Sequence, residues 1–337
     1  MTTAEALKLD TADSPVERLH SLVARDMGLA DRLIHENLSS SVSLIPELAK
    51  HLVDSGGKRL RPLLTLAAAR AGDYDGKAHI LLAAAVEFIH TATLLHDDVV
   101  DASALRRGKA SANIVWGNKP SVLVGDYLFS RAFQLMVEAG SMDVLDVLAS
   151  ASAIIAEGEV MQLKATSNLA TGEGDYLRVV EAKTAALFSA AAQSGAMVAD
   201  RGLEFVQGLR SYGHNLGVAF QLADDALDYS GRQAVMGKSV GDDFREAKVT
   251  LPVIVAYERA DEDARRFWRR TIESGTQHEG DLQRAIALVE GTGAIKETLA
   301  RARRYADTAC KSVMVLPAGE IRAALLDVAE FCVDRAY

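Results

Sequence analysis

The stretch Leu94-Leu95-His96-Asp97-Asp98-Val99-Val100-Asp101 closes an apolar run that begins near Ile80. Far downstream, Gln221-Leu222-Ala223-Asp224-Asp225-Ala226-Leu227-Asp228 repeats its pattern of two adjacent aspartates and a third three residues on. On a helix, Asp97 and Asp101 stand one turn apart on one side, about 6 Å of rise between them, and Asp224 and Asp228 do the same. Like charges at that spacing cost an isolated helix roughly 0.2–0.5 kcal/mol per pair. A hard divalent cation taking oxygen ligands is the natural compensation. His90, Thr93, Asp97 and Asp101 form one stripe at i, i+3, i+7 and i+11, and Gln221, Asp224 and Asp228 form another at i, i+3 and i+7. The other faces of both segments are apolar (Leu82, Val86, Leu94, Leu95; Leu216, Phe220, Leu227). A helix apolar on most sides with one acidic stripe belongs inside a bundle, its stripe turned to a cavity. One such motif alone reads as readily as a solvated acidic face. Two, each embedded in apolar sequence, point to a carboxylate-walled pocket.

Basic groups complete the pattern. Gly56-Gly57-Lys58-Arg59-Leu60-Arg61-Pro62 puts flexible backbone and three cations at an expected helix start, where exposed N–H groups also favour anions. Arg106-Arg107-Gly108-Lys109 follows the first acidic motif at about one further turn. Arginine suits bidentate oxyanion contacts and lysine acts as a point charge on phosphate. Such cations could simply neutralise the aspartates. Together with metal-binding carboxylates and a glycine-rich, charged segment from Gly231 to Lys248, expected to form a mobile lid, they fit a ligand bearing several phosphates better.

The elements that must hold these groups read as helices throughout. Proline occurs only at positions 15, 46, 62, 120, 252 and 317, and the long intervals between are rich in Ala, Leu, Glu and Gln with apolar residues every three or four positions. Helices are expected from Pro15 to about Ser39, on to Val53, from Lys58 to Gly72, Ala78 to about Ser103, Ser121 to Ala139, Met142 to Ala165, Gly174 to Ala199 and Leu203 to Ser230, with shorter ones after the lid. Val249 to Tyr257 is the best strand candidate and fits a buried helix equally well. No linker or fixed-period repeat divides the chain, so residues 1–337 read as one all-α domain, with 1–15 flexible.

Composition narrows the classes. A formal charge of −9 over 337 residues, without clustered Lys and Arg, argues against a general nucleic-acid binder. Cys310 and Cys332 sit in an expected C-terminal helix and read as small buried hydrophobes. Met1 to Pro15 carries neither a signal core nor an Arg-rich transit pattern, and the run Ile80–Leu95 is interrupted by Glu87 and His90 and too short to span a bilayer. A cytoplasmic protein without a transmembrane segment is expected.

These residues closely resemble the trans-isoprenyl diphosphate synthases, or polyprenyl synthetases. That family carries Gly-Gly-Lys-Arg-x-Arg-Pro, a first Asp-Asp-x-x-Asp followed by Arg-Arg, a Lys-Thr pair, and Phe-Gln-x-x-Asp-Asp-x-x-Asp. Here they stand at Gly56 to Pro62, Asp97 to Asp101, Arg106-Arg107, Lys183-Thr184 and Phe220 to Asp228. The sequence from Glu87 to His96 is most similar to the long-chain members, octaprenyl to decaprenyl diphosphate synthases that make quinone side chains. One position departs: the family's Glu-Gly-Lys in the lid is Glu246-Ala247-Lys248, and alanine is strained there if the backbone takes positive φ.

The resemblance implies a helical bundle of the isoprenoid synthase type around a central cavity, working as a homodimer. It implies condensation of an allylic diphosphate with isopentenyl diphosphate, supported by three Mg²⁺ ions. Asp97 and Asp101 would hold two ions and Asp224 the third, with Asp98, Asp225 and Asp228 as ligands or close behind them. Arg106, Lys183 and Lys238 would clasp the leaving diphosphate. Lys58, Arg61, His90 and Arg107 would hold isopentenyl diphosphate. Thr184 and Gln221 would present oxygen dipoles to the allylic cation, and released diphosphate would take the proton. His96 and His214 are expected to be structural.

A chain growing from the metals would run back along the first acidic helix, one isoprene unit matching a helical turn of about 5.4 Å. Ala92 and Thr93, one turn before Asp97, are small, so the path is open there, and a product of about C40–C50 is expected, delivered to a membrane. Phe129, Phe133 and Met136 are candidates for the floor. Three rivals remain: a class I terpene cyclase, against which both the second aspartate motif and Gly-Gly-Lys-Arg count; a non-catalytic subunit of a heteromeric synthase, against which both complete motifs count; and a short-chain synthase.

Overall fold

The computed structural model describes residues 14–54, 57–106, 108–230 and 240–334. Arg107 and Lys238, both expected to bind substrate, lie outside them, as do residues 1–13 and the first half of the expected lid, 231–239. The architecture is all-α. It begins with α1 (Pro15–Leu22), α2 (Ala24–Asn37), α3 (Leu44–Val53), α4 (Leu60–Ala71) and α5 (Ala78–Val100). Helices α6 (Ala112–Trp116), α7 (Asn118–Glu138), α8 (Met142–Ala165), α9 (Glu173–Val180), α10 (Ala186–Val198) and α11 (Leu203–Asp228) follow. The chain ends with α12 (Asp242–Arg245), α13 (Leu251–Glu258), α14 (Glu262–Trp268), α15 (Asp281–Gly291), α16 (Ala294–Ser312) and α17 (Glu320–Asp334).

Local chemistry explains several boundaries. Ser14 caps α1 by accepting the Glu17 N–H at 3.2 Å, with Pro15 pre-set for the first turn. Ser141 does the same for α8 through Val144 N–H. The expected single helix from Pro15 to Ser39 is two, broken at Val23 (φ −122°) without glycine or proline. The strand candidate at Val249 to Tyr257 is α13, its buried side chains covering all faces. One hairpin was not expected: Leu105–Arg106 pairs antiparallel with Lys109–Ala110, so Arg106 lies beyond the end of α5 rather than one turn further along it.

Helix α5 runs through the middle of the bundle against α2, α4, α7 and α10. At 23 residues it is longer than the apolar run read from the sequence, and by length and composition alone it could cross a membrane. In the fold, 67% of that apolar window is buried by protein. Its Leu82, Val86, Phe88, Ile89 and Ala92 join Leu128, Ala132 and Met136 of α7 and Leu148 of α8 in one apolar cluster. Each fully buried large side chain there contributes roughly 1.5–3 kcal/mol. Phe133 is 41% exposed and so is no floor for an interior channel; Met136 is buried and Phe129 half-buried. Helix α11 packs on α10 and α16. A Cβ at Gly213 would lie 2.3 Å from the Phe188 carbonyl oxygen, and one at Gly217 would lie 2.7 Å from Ala185 Cα. Only glycine permits that approach, which brings the second acidic helix beside Lys183 and Thr184.

A buried ionic cluster ties α2, α4 and α5. Arg70 grips Asp26 with Nε at 2.5 Å and Nη2 at 2.8 Å, and the His79 ring, fully buried, sits 3.2 Å from the same carboxylate. Burial depresses the His79 pKa below its ordinary 6.5, and Asp26 only partly opposes this. The unfolded chain therefore binds more protons just below that value, and this contribution to stability is lost as pH falls through it. Glu159 and Asp225, both raised to about 7, pull the other way. The informative quantity is thus a difference: His79→Phe should flatten the acid-side decline of urea stability relative to the parent between about pH 7 and 5. Parallel pH profiles for the two proteins would refute this.

Candidate active site

The first acidic motif ends α5, with Asp101 as its C-cap. Asp97 faces Lys183, whose Nζ lies 3.6 Å from Asp97 Oδ2 and 2.8 Å from Glu159 Oε2. Asp101 Oδ2 accepts the Lys248 ammonium at 2.9 Å, and Glu246 Oε2 accepts the same ammonium at 2.5 Å. Asp98 points the other way and is fully buried. Its Oδ1 accepts Arg106 Nε at 2.9 Å and Nη2 at 2.5 Å, which is how the hairpin returns to the helix. Burial raises the Asp98 carboxyl, and Arg106 opposes that rise.

The second motif meets the first through a segment between α9 and α10. Residues Glu181–Ala185 form a π-helical turn, a feature frequent at functional sites, which carries Lys183 and Thr184. Thr184 Oγ1 donates to Gln221 Oε1 at 2.9 Å, and Gln221 Nε2 donates to Asp225 Oδ1 at 2.7 Å. Tyr176 of α9 donates its hydroxyl to Asp225 Oδ2 at 2.5 Å. A continuous polar path therefore runs from Asp97 through Lys183 and Thr184 to Gln221 and Asp225. Asp228 accepts three backbone N–H groups, Gly241 at 3.1 Å, Asp242 at 3.3 Å and Asp243 at 3.0 Å, and so fixes the chain where α12 begins. Asp224 stands half-buried three residues after Gln221 on the same stripe. Burial raises Asp225 to about 7 and Asp243 well above its ordinary value, and it also raises Asp228, which its three backbone N–H donors oppose.

Two cavities flank this path. One of about 130 Å³ is lined by Gln162, Tyr176, Lys183, Thr184, Gln221, Asp225 and Lys248. The other, about 290 Å³, is lined by Lys58, Arg59, Arg61, Glu87, His90, Phe188 and Phe220. Here Arg61 Nη1 is 3.1 Å from His90 Nε2, and its guanidinium lies 4.4 Å from the Phe188 ring centroid. Lys58 Nζ lies 5.6 Å from the Phe331 ring, while Arg59 is turned to an ion pair with Asp31. Of the expected site residues, Lys183, Thr184, Gln221 and Asp225 thus line one chamber and Lys58, Arg61 and His90 the other, with Phe220 and Gln221 adjacent between them, while Asp97, Asp101 and Asp224 are not among the residues lining either. His96, 3.2 Å from the Val122 carbonyl, and His214, 3.9 Å from Glu181, stand outside both chambers.

Several participants were not singled out from sequence: Glu159, Tyr176, Asp243 and Glu246. Glu159 and Gln162 do share one side of α8 beside Gly158, a polar interruption that was the available signal. Lys248 follows Ala247, the position where the sequence departs from the family pattern. Ala247 does take positive φ, +53°, as its N–H closes α12 on the Phe244 carbonyl. Left-handed backbone costs a non-glycine residue roughly 1–2 kcal/mol. Ala247→Gly should therefore raise stability by about 1 kcal/mol in urea unfolding, where the general expectation for adding a glycine is a loss. A loss would show that the conformation is unstrained.

The chamber suits a hard cation. Among the described residues no three Asp, Glu, His or Cys side chains converge tightly enough to enclose a metal by themselves. Mg²⁺ is commonly held by one or two carboxylates and completed by substrate phosphates and water. The ammonium groups of Lys183 and Lys248 sit against Asp97 and Asp101, where they balance the carboxylates. Burial alone would lower the Lys248 pKa, yet Asp101 and Glu246 outweigh it and hold the ammonium charged well above its ordinary range.

Comparison with known proteins agrees with this geometry. The family model described as polyprenyl synthetase matches residues 42–289. An octaprenyl diphosphate synthase of Escherichia coli (strain K12) is 45% identical over 95% of this chain and 99% of its own. The crystal structure of a decaprenyl diphosphate synthase from Rhodobacter capsulatus superposes with a TM-score of 0.92 at 54% identity, covering 96% of this chain and 99% of that one. A polyprenyl synthase from Caulobacter crescentus CB15, complexed with calcium and isoprenyl diphosphate, also gives 0.92, at 52% identity and with 96% and 98% coverage.

Proposed function

Since this chain belongs to the polyprenyl synthetase family, a metal-dependent family of trans-prenyltransferases that use allylic and isopentenyl diphosphates, we propose that it makes a long all-trans polyprenyl diphosphate for a quinone side chain. The polar path from Asp97 to Asp225 carries this reading, because it joins both acidic stripes beside a separate basic chamber. The long-chain relatives support it as well.

Asp97 and Asp101 would hold two Mg²⁺ ions and Asp224 a third. Held there by these carboxylates, Mg²⁺ would supply positive charge to offset what grows on the leaving group. Lys183 and Lys248 would turn from Asp97 and Asp101 to that diphosphate, joined by Arg106 once its hold on Asp98 loosens, and by Lys238. Asp98 then acts through Arg106, Asp225 through Gln221 and Tyr176, and Asp228 through the start of α12. Lys58, Arg61, His90 and Arg107 would hold isopentenyl diphosphate. Gln221 and Thr184 would turn oxygen dipoles toward the cation between the chambers. Positioning and exclusion of water carry the rate, since a wet carbocation is quenched.

We further propose a single domain, a cytoplasmic location and a homodimer through α7 and α8, where Leu123, Val137 and Met142 are 67%, 65% and 76% exposed. Large apolar side chains left this exposed are candidates for burial against a second copy. Sedimentation equilibrium giving the mass of one chain would remove the dimer. The catalytic reading is tested by supplying farnesyl and isopentenyl diphosphates with Mg²⁺ and sizing the dephosphorylated product. A length of about C40–C50 is expected, one helical turn per isoprene unit, whereas only C15–C20 alcohols would make this a short-chain enzyme.

A further inference from the structure

We propose that Glu159 is the positioning residue that holds Lys183 for the allylic diphosphate, an assignment that rests on the role of Lys183 given above. Helix α8 and the π turn meet backbone to backbone at this point. A Cβ on Gly158 would lie 2.9 Å from Ala182 Cβ and 2.9 Å from Lys183 N, so only glycine allows the contact. The next residue, Glu159, is thereby delivered beside the lysine, and its Oε2 accepts Nζ at 2.8 Å. Asp97 is second, at 3.6 Å. The other Glu159 oxygen, Oε1, is buried with no hydrogen-bond partner among the described residues, although the side chain as a whole stays 19% exposed.

An ammonium has three donors and no acceptor. Glu159 engages one and Asp97 approaches another, leaving a third for a diphosphate oxygen. When a divalent cation takes over Asp97, Glu159 is the anion that remains, and it keeps the lysine from swinging to solvent along its four-carbon stem. Without it, Lys183 in an Ala-rich helix has ordinary freedom to extend into water. Burial lifts the Glu159 carboxyl to about 7, with Asp97 adding to the rise and Lys183 opposing it. Loss of the lysine would therefore leave a buried acid that prefers to be neutral.

Glu159→Gln keeps the volume and removes the charge. Losing a charged hydrogen bond of this kind should raise the KM for the allylic diphosphate about tenfold and leave that for isopentenyl diphosphate within about twofold. Reductive methylation of Lys183, followed by peptide mass spectrometry, reads the tether without turnover, and labelling should accelerate in the variant. Glu159→Asp, which keeps the charge with one methylene less reach, should recover part of both effects, and it carries the test if the glutamine variant does not fold. In a Lys183→Met background, Glu159→Gln should add nothing. Unchanged labelling in both Glu159 variants would overturn the tether. Faster labelling with an unmoved allylic KM would instead overturn the assignment of Lys183 to that diphosphate. A full additional loss in the Lys183→Met background would show that Glu159 acts on something else.

Discussion

Asp97→Asn and Asp101→Asn are each expected to lower kcat by on the order of 10³-fold, at Mg²⁺ concentrations that saturate the parent enzyme. The isosteric amide keeps the shape of the acidic stripe, so the fold should survive. What is lost is the anionic oxygen that anchors a cation beside the leaving diphosphate, a term of several kcal/mol in the transition state. Each substitution also takes one of two carboxylates from an ammonium, leaving Lys183 on Glu159 in one case and Lys248 on Glu246 in the other. Asp98→Asn should behave differently. Its partner is Arg106, not the chamber, and removing one member of a buried pair costs stability, about 3–5 kcal/mol at most. The contrast is the test: steady-state kinetics over a Mg²⁺ series should show the apparent metal affinity falling for the Asp97 and Asp101 variants and holding for Asp98. Equal loss of metal affinity in all three would mean that the motif acts as one undivided ligand set.

That division within the motif marks how far the sequence can be read. Spacing put Asp97 and Asp101 on one stripe with His90 and Thr93, and the apolar residues around them demanded burial, which is why both the all-α class and the inward-facing carboxylates were legible. α8 appears with the bounds expected, Met142–Ala165. Spacing says nothing about partners far along the chain. Glu159 meets Lys183, 24 residues on, and Tyr176 meets Asp225, 49 residues on; each glutamate or tyrosine alone reads as an ordinary half-exposed side chain. The π turn at Glu181–Ala185 has no composition of its own, because Ala and Glu favour a regular helix equally well. It arises where the close crossings of α8 and α11 dictate the path. The hairpin after α5 was hidden for a related reason. Arg106 looked like a continuation of the helix until the backbone turned at Ala102, which takes φ +49°, and brought the guanidinium back to Asp98. Ala247 is the reverse case: one missing glycine in a familiar pattern correctly flagged a left-handed residue, yet it left the neighbouring lysine undervalued. Its ammonium is held by two carboxylates whatever the strain beneath it.

Thr93→Tyr is expected to convert a long-chain product into a short one. Thr93 lies one turn before Asp97 on the same stripe and is half-buried, with its hydroxyl turned back to the His90 carbonyl at 2.8 Å. A chain elongating from the carbon next to the bound diphosphate must pass this level after roughly one isoprene unit, since a helical turn rises about 5.4 Å. The phenol ring adds more bulk than a single unit of product can share the space with, so growth should stop at about C15–C20 instead of about C40–C50. Ala92→Phe would act at the same depth, but Ala92 is fully buried in the cluster with Leu128 and Met136. Overpacking there costs typically 1–3 kcal/mol and risks shifting α7, which makes Thr93 the cleaner position. The first condensation occurs above the block, so the turnover of isopentenyl diphosphate into the earliest product should fall by less than about tenfold. Thin-layer chromatography of the dephosphorylated products reads both quantities at once. If the tyrosine variant still makes the parent's product at the parent's length, the chain does not travel along α5, and the route must be sought on the α8 side of the chamber.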